Sequence, residues 1–257
     1  MRRMATAIIT VALAGLAAVA GAQSADERAA ARDVVKKKSD AVIMVLATLK
    51  IRANVGGQEQ TIDQQAQANG TVLDASGLTV MSLSALQPDD LMARNLMTRV
   101  QPGTKVEVTS EPSGIKMHLA DGREVPAKLV LRDQDLDLAF VRPVDAPAGP
   151  MMSIDGPSAR PSLMDLLFVI QRTSETTGWS TAAAFGSVQF VIDKPRTYYQ
   201  IALQATGGSG LGSPIFDAGG KFVGVILMRN AGSKSAAVTG VLPADDIREV
   251  AKQALGK

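Results

Sequence analysis

One loop, Gly207-Gly208-Ser209-Gly210-Leu211-Gly212-Ser213, gathers residues whose types and spacing could do chemistry. Glycine loses more conformational freedom on folding than any other residue. So dense a run therefore implies backbone at positive φ, or amides that approach something closely. A phosphate cradle is excluded by Ser213, which stands where the spacing from Gly207 and Gly212 requires lysine, and by the strand-like segment that follows. A plain structural hairpin and acyl transfer remain. Acyl transfer would use Ser209 as the nucleophile. It also needs an imidazole to take the proton, a carboxylate to orient that imidazole, and donors for the oxyanion. The chain has one histidine, His118, in a strand just before the turn Ala120-Asp121-Gly122, and that position reads as structural.

The elements that must position these groups are short β-rich runs separated by turn residues. Pro214–Asp217 and Phe222–Met228 flank Ala218-Gly219-Gly220 and form a hairpin. Asn69–Asp74 and Leu78–Met81 flank Ala75-Ser76-Gly77, and Gly114–Leu119 and Glu124–Val130 flank the Asp121-Gly122 turn. Further strands are expected at 41–51, 105–109, 166–171, 181–190, 198–205 and 236–241, with the polar stretch Gln58–Gln67 as a surface loop. Helices are expected at 25–38, at 88–98 with Pro88 at its start, and at the C-terminal end from Leu242 onward.

The stretch Pro214-Ile215-Phe216-Asp217 followed by Gly219-Gly220-Lys221-Phe222-Val223-Gly224-Val225 resembles the nucleophile loop and following hairpin of trypsin-like serine proteases, in particular the HtrA/Deg branch. DGREVPAKLVLRDQDLDLAFVRP, residues 121–143, is similar to that branch's segment around the triad aspartate, and Leu242-Pro243-Ala244-Asp245-Asp246-Ile247 to its closing helix. The resemblance spans roughly 34–255 and implies two six-stranded β-barrels. It places the triad aspartate on Asp137, the histidine on Ser84 and the nucleophile on Leu211. A hydrocarbon cannot attack a carbonyl, and a serine hydroxyl cannot replace imidazole as a base. Between Gly77 and Gln87 no His, Asp, Glu, Lys or Tyr is available instead. The implied site thus keeps Asp137 and lacks an intact triad; Ser209, two residues out of register, is the alternative nucleophile. A buried Asp137 is expected to accept hydrogen bonds from Ser84 or nearby amides. Trp179 and the pair Tyr198-Tyr199 either pack in the second barrel or line a residual peptide groove.

The expected fold is an all-β trypsin-like double β-barrel with a C-terminal helix. Residues 1–22 have the basic start, apolar run and Ala20-Gly21-Ala22 end of a secretory signal peptide. Then follow a helical lead-in (23–38), a first barrel (39–142), a crossover holding Pro143, Pro147, Pro150, Pro157 and Pro161 (143–162), a second barrel (163–242) and the final helix (243–257), with no residues left for a PDZ domain. The chain has 27 Lys and Arg, 25 Asp and Glu, and no Cys. Arg2 and Arg3 lie in the leader and no acid does, so the remainder is electrically balanced. That gives no argument for nucleic acid or an anionic membrane surface. Without cysteine there is no disulfide, so an exported chain must be stabilised by its core. The sequence offers no cofactor or metal motif. It points to a periplasmic or secreted module for an unnamed peptide or protein, with a functional hydrolase or an inert envelope domain as alternatives.

Overall fold

The computed structural model describes residues 26–203, 210–229 and 238–254. A helix α1 covers 26–38 and leads into a first closed barrel. Its strands are β1 (Val42–Val55), β2 (Gln58–Val72), β3 (Thr79–Ser82), β4 (Val106–His118), β5 (Glu124–Asp133) and β6 (Leu138–Pro143), in the spatial order β1-β2-β3-β6-β5-β4. The helix α2 (Asp89–Met97) follows Pro88, carries Asp89 and Asp90 in its first turn, and lies against β4. Acids there complement the partial positive charge of the helix N-terminus.

The second closed barrel contains β7 (Leu166–Arg172), β8 (Thr181–Ile192), β9 (Tyr198–Leu203), β10 (Pro214–Asp217), β11 (Phe222–Arg229) and β12 (Val238–Pro243), ordered β10-β11-β12-β9-β8-β7. Helix α3 (Ala244–Ala254) turns Ala244, Ile247, Val250, Ala251 and Ala254 inward, the one-sided stripe of an amphipathic helix. Two barrels, mostly strand and ending in a helix, are the trypsin-like architecture.

Two expectations about the strands are corrected. Gln58–Gln67 is not a loop but the outer part of β2, paired with β1 in unbroken register from Val42↔Thr71 to Val55↔Gln58. Its side chains are mostly polar because both faces meet water, and a backbone ladder needs no apolar residues to form. Gly56 and Gly57, at φ +59° and +89°, make the connection, a two-residue turn with both central φ values positive. Similarly, the strands expected at 105–109 and 114–119 are not separate but merge into the single strand β4 (Val106–His118). Pro112 and Gly114 suggest a break, yet β4 pairs with β5 only through Lys116, Met117 and His118. Its other residues face β1 alone, with a register shift at Leu46/Thr48, so proline and a positive-φ glycine are tolerated at a bulged edge.

One apolar cluster runs through both barrels: Ile43, Leu49, Met81 and Phe140 on one side, Phe168, Phe216 and Phe222 on the other, with Ile247 from α3. A buried guanidinium fastens the same junction. Arg172, at the end of β7, donates from Nε to the Val42 carbonyl (3.1 Å), from Nη2 to Ser39 (2.8 Å) and from Nη1 to Trp179 (3.3 Å). Its backbone N–H donates to Asn69 Oδ1 (2.6 Å). Burial pulls its pKa below the ordinary arginine value while Asp40 opposes the shift. Arg172→Met should strand those carbonyls and lower stability by about 2–4 kcal/mol in urea unfolding. A change within about 0.5 kcal/mol would show that the guanidinium is no fastener.

Candidate active-site cleft

Ser84 lies in a short 3-10 turn, Leu83–Ala85, that continues directly from β3. Asp137 ends the β5–β6 connection, and β3 pairs with β6 so that Ser82 stands opposite Leu138. That pairing sets the residues flanking the ends of two strands side by side. Asp137 has φ +58°, a left-handed conformation that aspartate tolerates better than most residues. Its carbonyl accepts the Leu83 N–H (2.8 Å), fixing the turn that carries Ser84.

The Asp137 side chain is buried, and four donors converge on its two oxygens. Oδ1 accepts from the Ser84 backbone N–H (2.7 Å) and Ser84 Oγ (2.6 Å). Oδ2 accepts from Ser82 Oγ (2.5 Å) and, from the second barrel, the Met228 backbone N–H (2.7 Å). Burial raises the carboxyl pKa above its ordinary value, and the bonds from Ser82, Ser84 and Met228 work against that rise. No cation takes part in this set of bonds. The expected Ser84–Asp137 contact is therefore present, and Ser82 and Met228 join it unforeseen. A serine closing a fully buried strand needs a hydrogen-bond partner, and that was the available signal for Ser82. Met228 contributes only its backbone, for which a side-chain sequence holds no signal.

Leu211 reaches this region through β11. The Gly212 N–H donates to the Ile226 carbonyl (2.8 Å), and two residues further along the same strand Met228 holds Asp137. Among the described residues of the loop, Gly210 and Gly212 have positive φ, +66° and +84°. Leu211, 8% exposed, is packed with Leu167, Val169, Ile215, Val223 and Ile226. Its side chain is folded into the second barrel. Ser213 is fully buried, and its hydroxyl has no hydrogen-bond partner among the described residues. Ser209, with Gly207 and Gly208, lies outside the described residues.

His118 belongs elsewhere. It is buried, 8% exposed, with its ring 4.5 Å from that of Trp179. It sits at the end of β4 opposite Met44, so the aromatic from the second barrel covers it. Its Nδ1 has no partner among the described residues, and its ring contact is with Trp179, not with Asp137. Tyr198 and Tyr199 are both buried, which favours packing over a groove lining. Beside Ser84 and Asp137 a cavity of about 170 Å³ opens between Leu83, Gln87, Pro88 and Gln134.

The carboxylate that ends the β5–β6 connection is thus held beside the turn following β3 and tied to β11 of the second barrel. Residues 31–225, more than half of the chain, match the family model described as a trypsin-like peptidase domain. The chain belongs to that family. No curated protein matches it. As a trypsin-like peptidase domain it has the frame in which acyl transfer is carried out. The frame does not bring an activity with it, because function resides in the groups the site presents.

Proposed function

We propose that this chain is an exported, catalytically inactive trypsin-like domain of the HtrA/Deg type that binds an extended peptide or protein segment. The observation that carries the reading is the saturation of Asp137. Both of its oxygens are engaged by serine hydroxyls and backbone N–H groups, and Ser84 supplies a hydroxyl where a triad needs imidazole. The one imidazole of the chain lies against Trp179, and Leu211 offers only hydrocarbon. Such a cleft has an orienting carboxylate with nothing to orient toward catalysis. The HtrA/Deg assignment rests on residues 121–143 and the closing helix, and export on residues 1–22. The cavity beside Ser84 gives a bound segment somewhere to place a side chain.

A fluorophosphonate probe tests the inactivity. The purified chain should remain unlabelled under conditions that stoichiometrically label a functional serine hydrolase; labelling at Ser209 would establish the alternative nucleophile. Binding is tested separately with a library of extended peptides. Saturable binding at micromolar concentration is expected, and none up to high micromolar would leave an inert envelope domain.

A further inference from the structure

Strand β2 is paired along its whole length on one side only. Its other side meets β3 through Thr71 and Val72 alone. At and just before those residues the second barrel covers the strand, where Asn69 Oδ1 accepts the Arg172 N–H and Thr71 Oγ1 donates to the Gly212 carbonyl. From Gln58 to Gln67 the edge is free among the described residues, and every residue there except the partly covered Ala66 is exposed. Natural edge strands are kept from pairing by proline, lysine or a bulge. This one has none of the three: its sequence is Gln-Glu-Gln-Thr-Ile-Asp-Gln-Gln-Ala-Gln, its register against β1 is unbroken, and its only charges are the two acids Glu59 and Asp63. Its one large apolar side chain, Ile62, is 51% exposed, although its cross-strand neighbour Ile51 is buried.

We propose that this edge pairs antiparallel with the same edge of a second copy of the chain, across a two-fold axis at Ile62. The axis relating two such edges stands perpendicular to the sheet and keeps each face on its own side. A residue can then oppose only residues of its own parity, so the axis must pass through a residue facing itself. Charge removes several choices. An axis at Glu59 or Asp63 sets two carboxylates directly opposite, and one at Thr61 pairs Glu59 with Asp63. Like charges directly opposed destabilise a ladder. An axis at Gln60 runs into the Gly56-Gly57 turn after a few pairs, and one at Gln64 runs toward the covered residues 69–71. The axis at Ile62 sets Asp63 against Thr61 and Glu59 against Gln65, packs the two exposed isoleucines on each other, and uses the free span from Gln58 to Ala66.

The absence of cysteine in the chain makes the test direct. At the axis, opposed Cα atoms lie about 4.5–5.5 Å apart, within disulfide reach. Position 67 and its copy are ten residues apart along the ladder, about 33 Å. Sedimentation of the unmodified chain should give twice the chain mass at micromolar concentration. On mild oxidation Ile62→Cys should cross-link nearly completely and Gln67→Cys at least tenfold less. Thr61→Pro, which an edge strand tolerates, should sediment as a monomer with unchanged circular dichroism. A chain that sediments as a monomer up to high micromolar overturns the proposal, whether its edge stays empty or takes up a foreign extended peptide. So do equal cross-linking at both positions, and a dimer in which neither position cross-links.

Discussion

Gly212→Ala should be among the most destabilising single substitutions in the chain, lowering stability by about 4–5 kcal/mol or preventing the two barrels from closing on each other. Two independent costs combine. At φ +84° an L-residue with a Cβ is strained, by about 1–2 kcal/mol. That Cβ would also stand 1.8 Å from the Asn69 carbonyl oxygen and 2.8 Å from its carbon. Both are backbone atoms of the other barrel, which cannot swing aside as a side chain can. Residue 212 is anchored on both sides besides: its N–H bonds to Ile226, and its carbonyl accepts the buried Thr71 hydroxyl at 2.8 Å. Gly57→Ala separates the two costs, because Gly57 has φ +89° but no atom within 4 Å of the added carbon. It should lose only the conformational part. Urea unfolding of both variants checks the comparison. Equal losses would mean that the loop moves away from Asn69 and that the close approach is not a fixed feature of the barrel junction.

The contrast between these glycines marks what the sequence could show. The turns at Ala75-Ser76-Gly77, Asp121-Gly122 and Gly219-Gly220 announce themselves because a tight turn needs particular residues locally, and the strands on either side lie where the turns put them. Asp137 and Ser84 were legible together because the segments carrying them match a pattern, and they meet through the β3–β6 pairing. Three kinds of feature were not legible. Residues 58–67 have the composition of a loop, because a ribbon wetted on both faces has no hydrophobic alternation to display. His118 became buried through a contact with Trp179 some sixty residues away, which no local spacing encodes. The Met228 N–H joins the carboxylate through backbone, to which its side chain is irrelevant. Local chemistry dictated the turns; the meeting of two barrels decided the rest.

At Asp137 that meeting has its largest consequence for the site. If the carboxylate were a relic of catalysis, its removal would cost little. As built, it holds the Ser84 turn in the first barrel and β11 in the second, and Asp137→Ala should lower stability by about 3 kcal/mol. The two backbone N–H groups lose an acceptor they cannot replace, whereas the serine hydroxyls can rotate. Asp137→Asn should lose less, since the amide oxygen serves one N–H and the rotated serines accept from the amide nitrogen. The two variants also separate by pH. Burial raises the folded-state pKa of Asp137 above the roughly 3.9 of an unfolded aspartate. Between those two values the folded chain binds the proton more tightly than the unfolded one. This group's contribution to stability therefore rises as pH falls from neutral through the folded pKa toward 4, and is smallest above the folded pKa. The protonated form fits its surroundings, because the hydroxyl of Ser82 or Ser84 can turn to accept. Measured by urea unfolding between pH 7 and pH 4, the unmodified chain should gain stability relative to Asp137→Asn as the solution is acidified. A constant difference across that range would mean that the carboxyl titrates as if in water, and a difference that shrinks would mean that its hydrogen bonds outweigh its burial.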